Sequence, residues 1–552
     1  MPELTYFDAH AVIGARPLKP AAERWSLDHV LADLELAGIA GALVRHSQAL
    51  HYEPMHGNLR LIEEIAPYRD RLFPCWSVVP PVANDFPEPE QLLALMDKHD
   101  VRAAIIHPKT NGLPLHAPLL QPLAGALAEA QRLLLVSYGE FGDFEPAHRF
   151  LSIFEHGPVL LLDHTWSQWR EIQLLMDLHP NLHLEFSAFQ ANRAIEYFGE
   201  RYGFERCLFG TGQPMKAPGA ARAFLDFRLC DDASAAKVAG GNLRRLLGGV
   251  GPTEPPAPGA WHDSITAEER AGEPLSCLLL DAHCHVLHDG ASFAGERYVM
   301  VKGDAAGLLE VARRMGTDAT ALMSWNGTVS MDAPAGNQVT AAAVSQAPDE
   351  YVGLLTLNPT HQSPAEMQAQ IEEYHGRLGF RGLKPYQRTV IPYNHASFDP
   401  WWEFGNEHHL YGLFHISVGG VNAVLDIAQR YPNFHCLIAH SGGSYAFADQ
   451  VISVAQQAPN IYAELTLTPV TNGVVEYLCE AIGVERVLYG TDAPMRDPRP
   501  QLGWVVFTRL PEADKRKILG ENFQRILLDG RLPGHQLPAG VRSSAGRTAG
   551  HR

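Results

Sequence analysis

The residues that constrain this chain most are those that recur at one nearly fixed spacing. Tyr6-Phe-Asp-Ala-His10 answers Leu279-Leu-Asp-Ala-His283, and Leu72-Phe-Pro-Cys-Trp-Ser-Val-Val-Pro80 answers Tyr351-Val-Gly-Leu-Leu-Thr-Leu-Asn-Pro359. Glu205-Arg-Cys-Leu-Phe-Gly-Thr-Gly-Gln-Pro-Met215 answers Glu485-Arg-Val-Leu-Tyr-Gly-Thr-Asp-Ala-Pro-Met495, and Asn242-Leu-Arg-Arg-Leu-Leu answers Asn522-Phe-Gln-Arg-Ile-Leu. The offset stays between 273 and 280, so a whole domain is written twice, not a short solenoid unit. A chain of 552 residues is also too long for one ordinary core. The expected division is a first domain over 1–250, a linker over 251–275, a second domain over 276–536 and a disordered tail over 537–552.

Within the second copy, eight short apolar runs alternate with amphipathic stretches. The runs are Leu278–His285, Ala319–Ser324, Tyr351–Asn358, Phe380–Pro385, Gly412–Ser417, Phe434–His440, Ile461–Leu467 and Arg486–Asp492. Helical patterns such as Val421–Arg430 and Gly473–Ile482 lie between them. Near-continuous apolar strands separated by helices read as a parallel α/β sheet, and eight of them in about 260 residues predict a (β/α)8 barrel. Polar residues end many of these strands, which disfavours an open sheet with one switch point. The fold class is therefore two tandem barrels.

Composition removes several functions. The 62 acidic residues against 44 basic give a formal charge of −18, which offers no basic face to nucleic acid or an anionic membrane. Seven scattered cysteines without C-x-x-C pairs read as reduced thiols, so a cytoplasmic setting is expected. The first residues show no secretory signal pattern, and no apolar run nears the roughly 18 residues of a membrane span.

The strand ends of the second copy carry the chemistry. His283 and His285, two apart on one strand, leave it on the same side, as two ligands of one metal require. Four more ends carry Gly382-Leu-Lys384-Pro, Leu413-Phe-His415, Leu437-Ile-Ala-His440-Ser-Gly-Gly and Leu488-Tyr-Gly-Thr-Asp492-Ala-Pro. In a barrel these ends converge on one mouth. Histidines with one aspartate suit Zn²⁺, with Mn²⁺ or Fe²⁺ as alternatives.

Together these motifs resemble the amidohydrolase superfamily, most closely the branch that includes aminocarboxymuconate-semialdehyde decarboxylase. The resemblance spans nearly all of the second copy. It implies one divalent metal, most simply zinc, held by His283, His285, His415 and Asp492. It implies proton transfer by Asp492 and His440. A metal with open coordination lowers the pKa of bound water and polarises a carbonyl. The expected reaction is hydrolysis of an amide, lactone or similar bond in a small molecule. The alternative is non-oxidative decarboxylation of a small unsaturated or aromatic acid. A non-catalytic two-barrel scaffold is the reading from another class. Lys384 falls where two-metal relatives bridge their metals with a carboxylated lysine, or it binds a substrate carboxylate. Arg381, Tyr386 and Glu464 are candidates to touch substrate.

The first copy reads as a barrel without its metal. His10 remains, but Val12 stands for His285, His107 for Lys384, Ser137 for His415 and Gly212 for Asp492, while His164 answers His440. Members of the resembled branch work as dimers, so the first copy is expected to be a built-in partner of the second. Arg170 is the candidate to reach a substrate carboxylate.

Overall fold

The computed structural model describes residues 3–17, 22–292, 295–466 and 469–542. It divides into two compact units, 1–262 with 270–272, and 263–269 with 273–552. The first holds β1 (Phe7–Ile13), β2 (Gly41–His46), β3 (Leu72–Ser77), β4 (Ala103–Ile105), β5 (Leu133–Ser137), β6 (Val159–Leu162), β7 (Leu182–Glu185) and β8 (Cys207–Leu208). The second holds β9 (Leu280–Val286), β10 (Ala319–Ser324), β11 (Tyr351–Leu357), β12 (Gly382–Pro385), β13 (Tyr411–Phe414), β14 (His435–Ile438), β15 (Ile461–Leu465) and β16 (Val487–Tyr489). Within each unit the strands are parallel and neighbours in space follow chain order. Each ring is completed by backbone bonds between its first strand and the segment after its last. Ala9 N–H donates to Phe209 O at 3.0 Å and Val12 N–H to Gln213 O at 3.0 Å, and His285 N–H donates to Ala493 O at 2.6 Å. Both units are (β/α)8 barrels, as the repeated pattern predicts.

The barrel interiors fill with the apolar side chains of alternate strand positions. Phe7, Leu43, Ile105, Leu135, Leu160 and Leu208 meet in the first, and Leu280, Ala321, Leu354, Leu413, Leu437 and Leu488 in the second. Helices between strands are stopped by their own ends. The helix Ala305–Met315 is opened by the Asp304 carboxylate on Gly307 N–H and closed by Gly316 at φ 89°.

Two expected boundaries shift. The linker contains a helix, Ser264–Arg270, with Ile265 and Glu269 fully buried, so it is not an exposed spacer throughout. The tail is packed as far as Arg542, because Leu537 and Val541 join the second barrel's core and Gln524 donates to Val541 O. The rest of the expected disordered tail, 543–552, lies outside the described residues.

Register aligns the two barrels residue by residue. The amides of Asn58 and Asn337 both donate at 2.8 Å to the carbonyls of Ser77 and Thr356, which fixes those two as equivalents. Ser77 pairs with Ile105 and Thr356 with Lys384, so Ile105, not His107, holds the Lys384 position. Leu161 pairs with Leu184 and Ile438 with Ala463, one residue before Glu185 and Glu464. The next backbone N–H groups confirm the match. Asp163 N–H donates to Glu185 Oε1 at 3.1 Å, and His440 N–H lies 3.4 Å from Glu464 Oε2. Asp163 therefore holds the His440 position, and both residues take positive φ, 55° and 65°. His164 is turned away, buried against Phe189.

Candidate metal centre

β9 delivers His283 and His285 to the mouth of the second barrel side by side. Their Nε2 atoms lie 3.3 Å apart, and each is 3.3–3.4 Å from Asp492 Oδ1. Glu464 Oε2 takes the other nitrogen of His283, Nδ1, at 3.1 Å. The Thr328 hydroxyl, which donates to Ser324 O, lies 3.3 Å from His285 Nδ1 and is left to accept its proton. Both Nε2 atoms then face the Asp492 carboxylate as lone pairs, with Asp492 Oδ2 buried and lacking a hydrogen-bond partner among the described residues. Three acceptors packed this closely repel one another unless a cation sits among them. The donor set thus fits a divalent metal of the Zn²⁺, Mn²⁺ or Fe²⁺ type.

The rest of the predicted set is divided by the structure. His283, His440 and Asp492 offer ligand atoms within 4.8 Å of one another. His415 Nδ1 sits 3.0 Å from His440 Nε2, so the two imidazoles form a pair at the edge of the cluster. Thr466 Oγ1 holds His440 Nδ1 at 2.6 Å. Glu464 corrects an expectation. Its side chain is fully buried behind His283 and holds Nδ1 of that ring, the place of an orienting group. Gly490 leaves it room, since a Cβ there would lie 2.0 Å from Glu464 Oε1. Arg381 is a second correction. It precedes β12 at the end opposite the mouth, and its guanidinium donates to Gly530 O and His535 O at 3.3 and 2.7 Å. Tyr386 follows β12 at the mouth side and lies 3.3 Å from Val329 O. Arg170 is exposed in the first turn of the helix Trp169–Leu178.

Electrostatics sort the buried groups. Burial alone would raise the Asp492 carboxyl, but the facing imidazoles of His285, His283 and His440 hold it well below the carboxylate range. Burial lowers His440 to about 3 and His415 to about 4, so both rings are neutral. Lys384 is fully buried, and its Nζ has no hydrogen-bond partner among the described residues. Burial lowers it to about 8, against the pull of Asp492 and Glu464.

Two buried residues beside the cluster, Asp281 and Arg496, were given no role by the sequence reading. Asp281 ties β9 to the strand end that carries Asp492. It accepts Thr491 Oγ1–H at 2.6 Å and the N–H groups of Thr491 and His283 at 3.0 Å. Arg496, buried four residues after Asp492, is lowered to about 10 by burial, with Asp492 opposing. Its sequence signal was the first of two arginines, Arg496 and Arg499, just past the last strand. A cavity of about 420 Å³ opens beside the cluster, lined by Tyr298, Trp325, Asn326, Val329 and Arg388. The ring of Trp325 meets that of His285 at 5.2 Å.

The first barrel keeps the scaffold of this centre with different occupants. Thr211 holds Asp8, and Glu185 Oε1 holds His10 Nδ1 at 3.2 Å, as Thr491 and Glu464 do in the second. Val12 pairs with Arg45 on β2, where the second barrel pairs His285 with Met323.

A family model described as amidohydrolase matches residues 7–249 and 280–527. No curated protein matches the sequence. Among solved structures, 5-carboxyvanillate decarboxylase LigW from Sphingomonas paucimobilis is 18% identical, with a TM-score of 0.36 over 45% of this chain and 98% of its own. 2,6-Dihydroxybenzoate decarboxylase from Rhizobium is 15% identical, with a TM-score of 0.38 over 46% of this chain and 99% of its own. 5-Carboxyvanillate decarboxylase from Novosphingobium aromaticivorans, complexed with manganese, is 14% identical, with a TM-score of 0.36 over 46% and 96%. No helix among the described residues is long and apolar enough to cross a membrane.

Proposed function

The chain belongs to the amidohydrolase family, and from that premise we propose that its second barrel is a metal-dependent active site for a small carboxylic acid. The observation that carries this reading is the convergence of His283 Nε2, His285 Nε2 and Asp492 Oδ1 within 3.4 Å of one another. His283, His285 and Asp492 would hold the metal, with His415 or His440 completing the set. When bound, the metal would supply Lewis-acid polarisation of an oxygen on the substrate.

Two reactions use these residues. In decarboxylation, a proton taken up from solvent and relayed by His440 and Asp492 replaces CO₂ on the substrate carbon as the C–C bond breaks. In hydrolysis, the same pair takes a proton from water as it adds to an amide or lactone carbonyl. Lys384 favours the first. A buried ammonium without a partner is costly, and a substrate carboxylate relieves that cost. A neutral amide or lactone leaves it unrelieved. Hydrolysis is the second reading, favoured by Asp492 and His440 both standing in their unprotonated forms beside the cluster. Turnover of a panel of small unsaturated and aromatic acids by the metal-loaded chain tests the choice. CO₂ release is expected. Cleavage of an acidic amide or lactone without CO₂ establishes hydrolysis instead. Failure to bind any divalent metal overturns both and leaves a binding protein.

The first barrel serves, in the same proposal, as a built-in partner of the second. A monomeric full chain in solution is expected. Unchanged kinetics in Arg170→Ala removes Arg170 from any role at the pocket.

A further inference from the structure

The mouth of the first barrel holds a second group with metal-site geometry. His10, Asp163 and Glu185 present ligand atoms within 4.8 Å of one another, all at positions equivalent to His283, His440 and Glu464. As in the second barrel, the carboxylate on His10 Nδ1 leaves Nε2 aimed into the mouth. There it meets the Arg45 guanidinium, whose Nη2 lies 2.8 Å away. Arginine stays protonated in proteins and can only donate, so this contact uses the lone pair a metal would need. Lys216 Nζ lies 3.4 Å from Asp163 Oδ1. The Lys216 side chain also fills the room vacated by the missing aspartate. Gly212 takes φ +69°, and a Cβ built on it would lie 2.8 Å from Lys216 Nζ. Two cations thus face the two carboxylates Asp163 and Glu185. In the second barrel Met323, an uncharged residue, stands where Arg45 stands.

We infer that the first barrel contains a latent divalent-metal site, formed by His10 Nε2 and Asp163 with Glu185 orienting His10, which its own Arg45 and Lys216 occupy in place of the metal. The inference uses the proposed metal reading of the second barrel only as a comparison. Its test keeps the two centres separate by counting metal in the full-length chain after loading with Zn²⁺ and dialysis. In the double variant Arg45→Met/Lys216→Met, content is expected to rise by about one equivalent per chain over the wild type. Adding His10→Gln should remove that equivalent and no other. A folded double variant, judged by circular dichroism, that gains no metal overturns the inference. If the double variant does not fold, the single variants Arg45→Met and Lys216→Met decide by the same count: a gain in metal that His10→Gln removes supports the plug, and no gain in either overturns it. His283→Gln reports on the second barrel alone, so failure there leaves this result readable.

Discussion

The two barrel mouths share a frame and differ in what neutralises it. Asp8 with Thr211 and Asp281 with Thr491 tie the first strand to the last, and Glu185 and Glu464 each hold the Nδ1 of the first histidine. Around that frame the second barrel collects His285, His415, His440 and Asp492, with the buried cations Lys384 and Arg496 near Asp492 and the Nε2 atoms of His283 and His285 facing that carboxylate. The first substitutes Val12, Ser137, Asp163 and Gly212 and brings its own cations, Arg45 and Lys216. The difference teaches that losing a metal site does not require dismantling it. The carboxylates Glu185, buried, and Asp163, half-buried, still need positive charge, and side chains supply it.

The comparison can be broken most sharply at Asp492. Asp492→Gly gives the second barrel the residue of the first, and kcat/KM should fall by about 10³-fold or more with the fold intact. Retained activity would separate Asp492 from the chemistry. The paired glutamates come next. Glu464→Gln should weaken metal affinity by about 10- to 100-fold, read by competition with a chelator, while Glu185→Gln leaves turnover unchanged.

Lys384 and its counterpart Ile105 sharpen the contrast through pH. Burial lowers Lys384 to about 8, so the ammonium that would hold a carboxylate is present below that pH and lost above it. Activity should therefore decline as pH rises through about 8, and Lys384→Arg should move that limb upward. An unmoved limb assigns it to another group. Stability in acid probes the other mouth. Burial would raise Glu185, but its bond to His10 holds it near 2. A depressed carboxyl contributes stability above its unfolded pKa of about 4.5, lost as pH falls toward 2, on the order of 1–3 kcal/mol. Glu185→Gln should flatten that part of the acid profile. The smallest effect belongs to His164. Burial lowers it to about 4, and neither ring nitrogen has a hydrogen-bond partner among the described residues. His164→Phe should change stability by no more than about 1 kcal/mol and leave activity intact. A large loss would restore it to the site.

Much of this was legible in the chain. The constant offset gave two similar domains, and the strand-end His-x-His and Gly-Thr-Asp marked residues that the structure brings together at one mouth. Where reading failed, it failed by one or two residues. Asp163 and His164 are adjacent polar residues at a strand end, and the sequence pattern selected the histidine because it matched the histidine of the other copy. Likewise His107 was matched to Lys384 through the proline that follows each, although the strand ladder puts Ile105 there. Glu464 looked like a substrate contact because a carboxylate at a strand end points to the mouth, yet it sits behind His283.

The sequence by itself determined the number of barrels, the order of their strands and the residue types that reach each mouth, because apolar periodicity and turn residues act locally. Only the tertiary structure decided which neighbour faces inward and what it meets. Side chains alternate across a strand, so a slip of one residue exchanges the inside for the outside, and register is set by pairing between strands far apart in the chain. Arg45 on His10 is such a case. The two lie 35 residues apart, on separate strands, and the 2.8 Å contact that replaces a metal with a guanidinium exists only once the barrel closes.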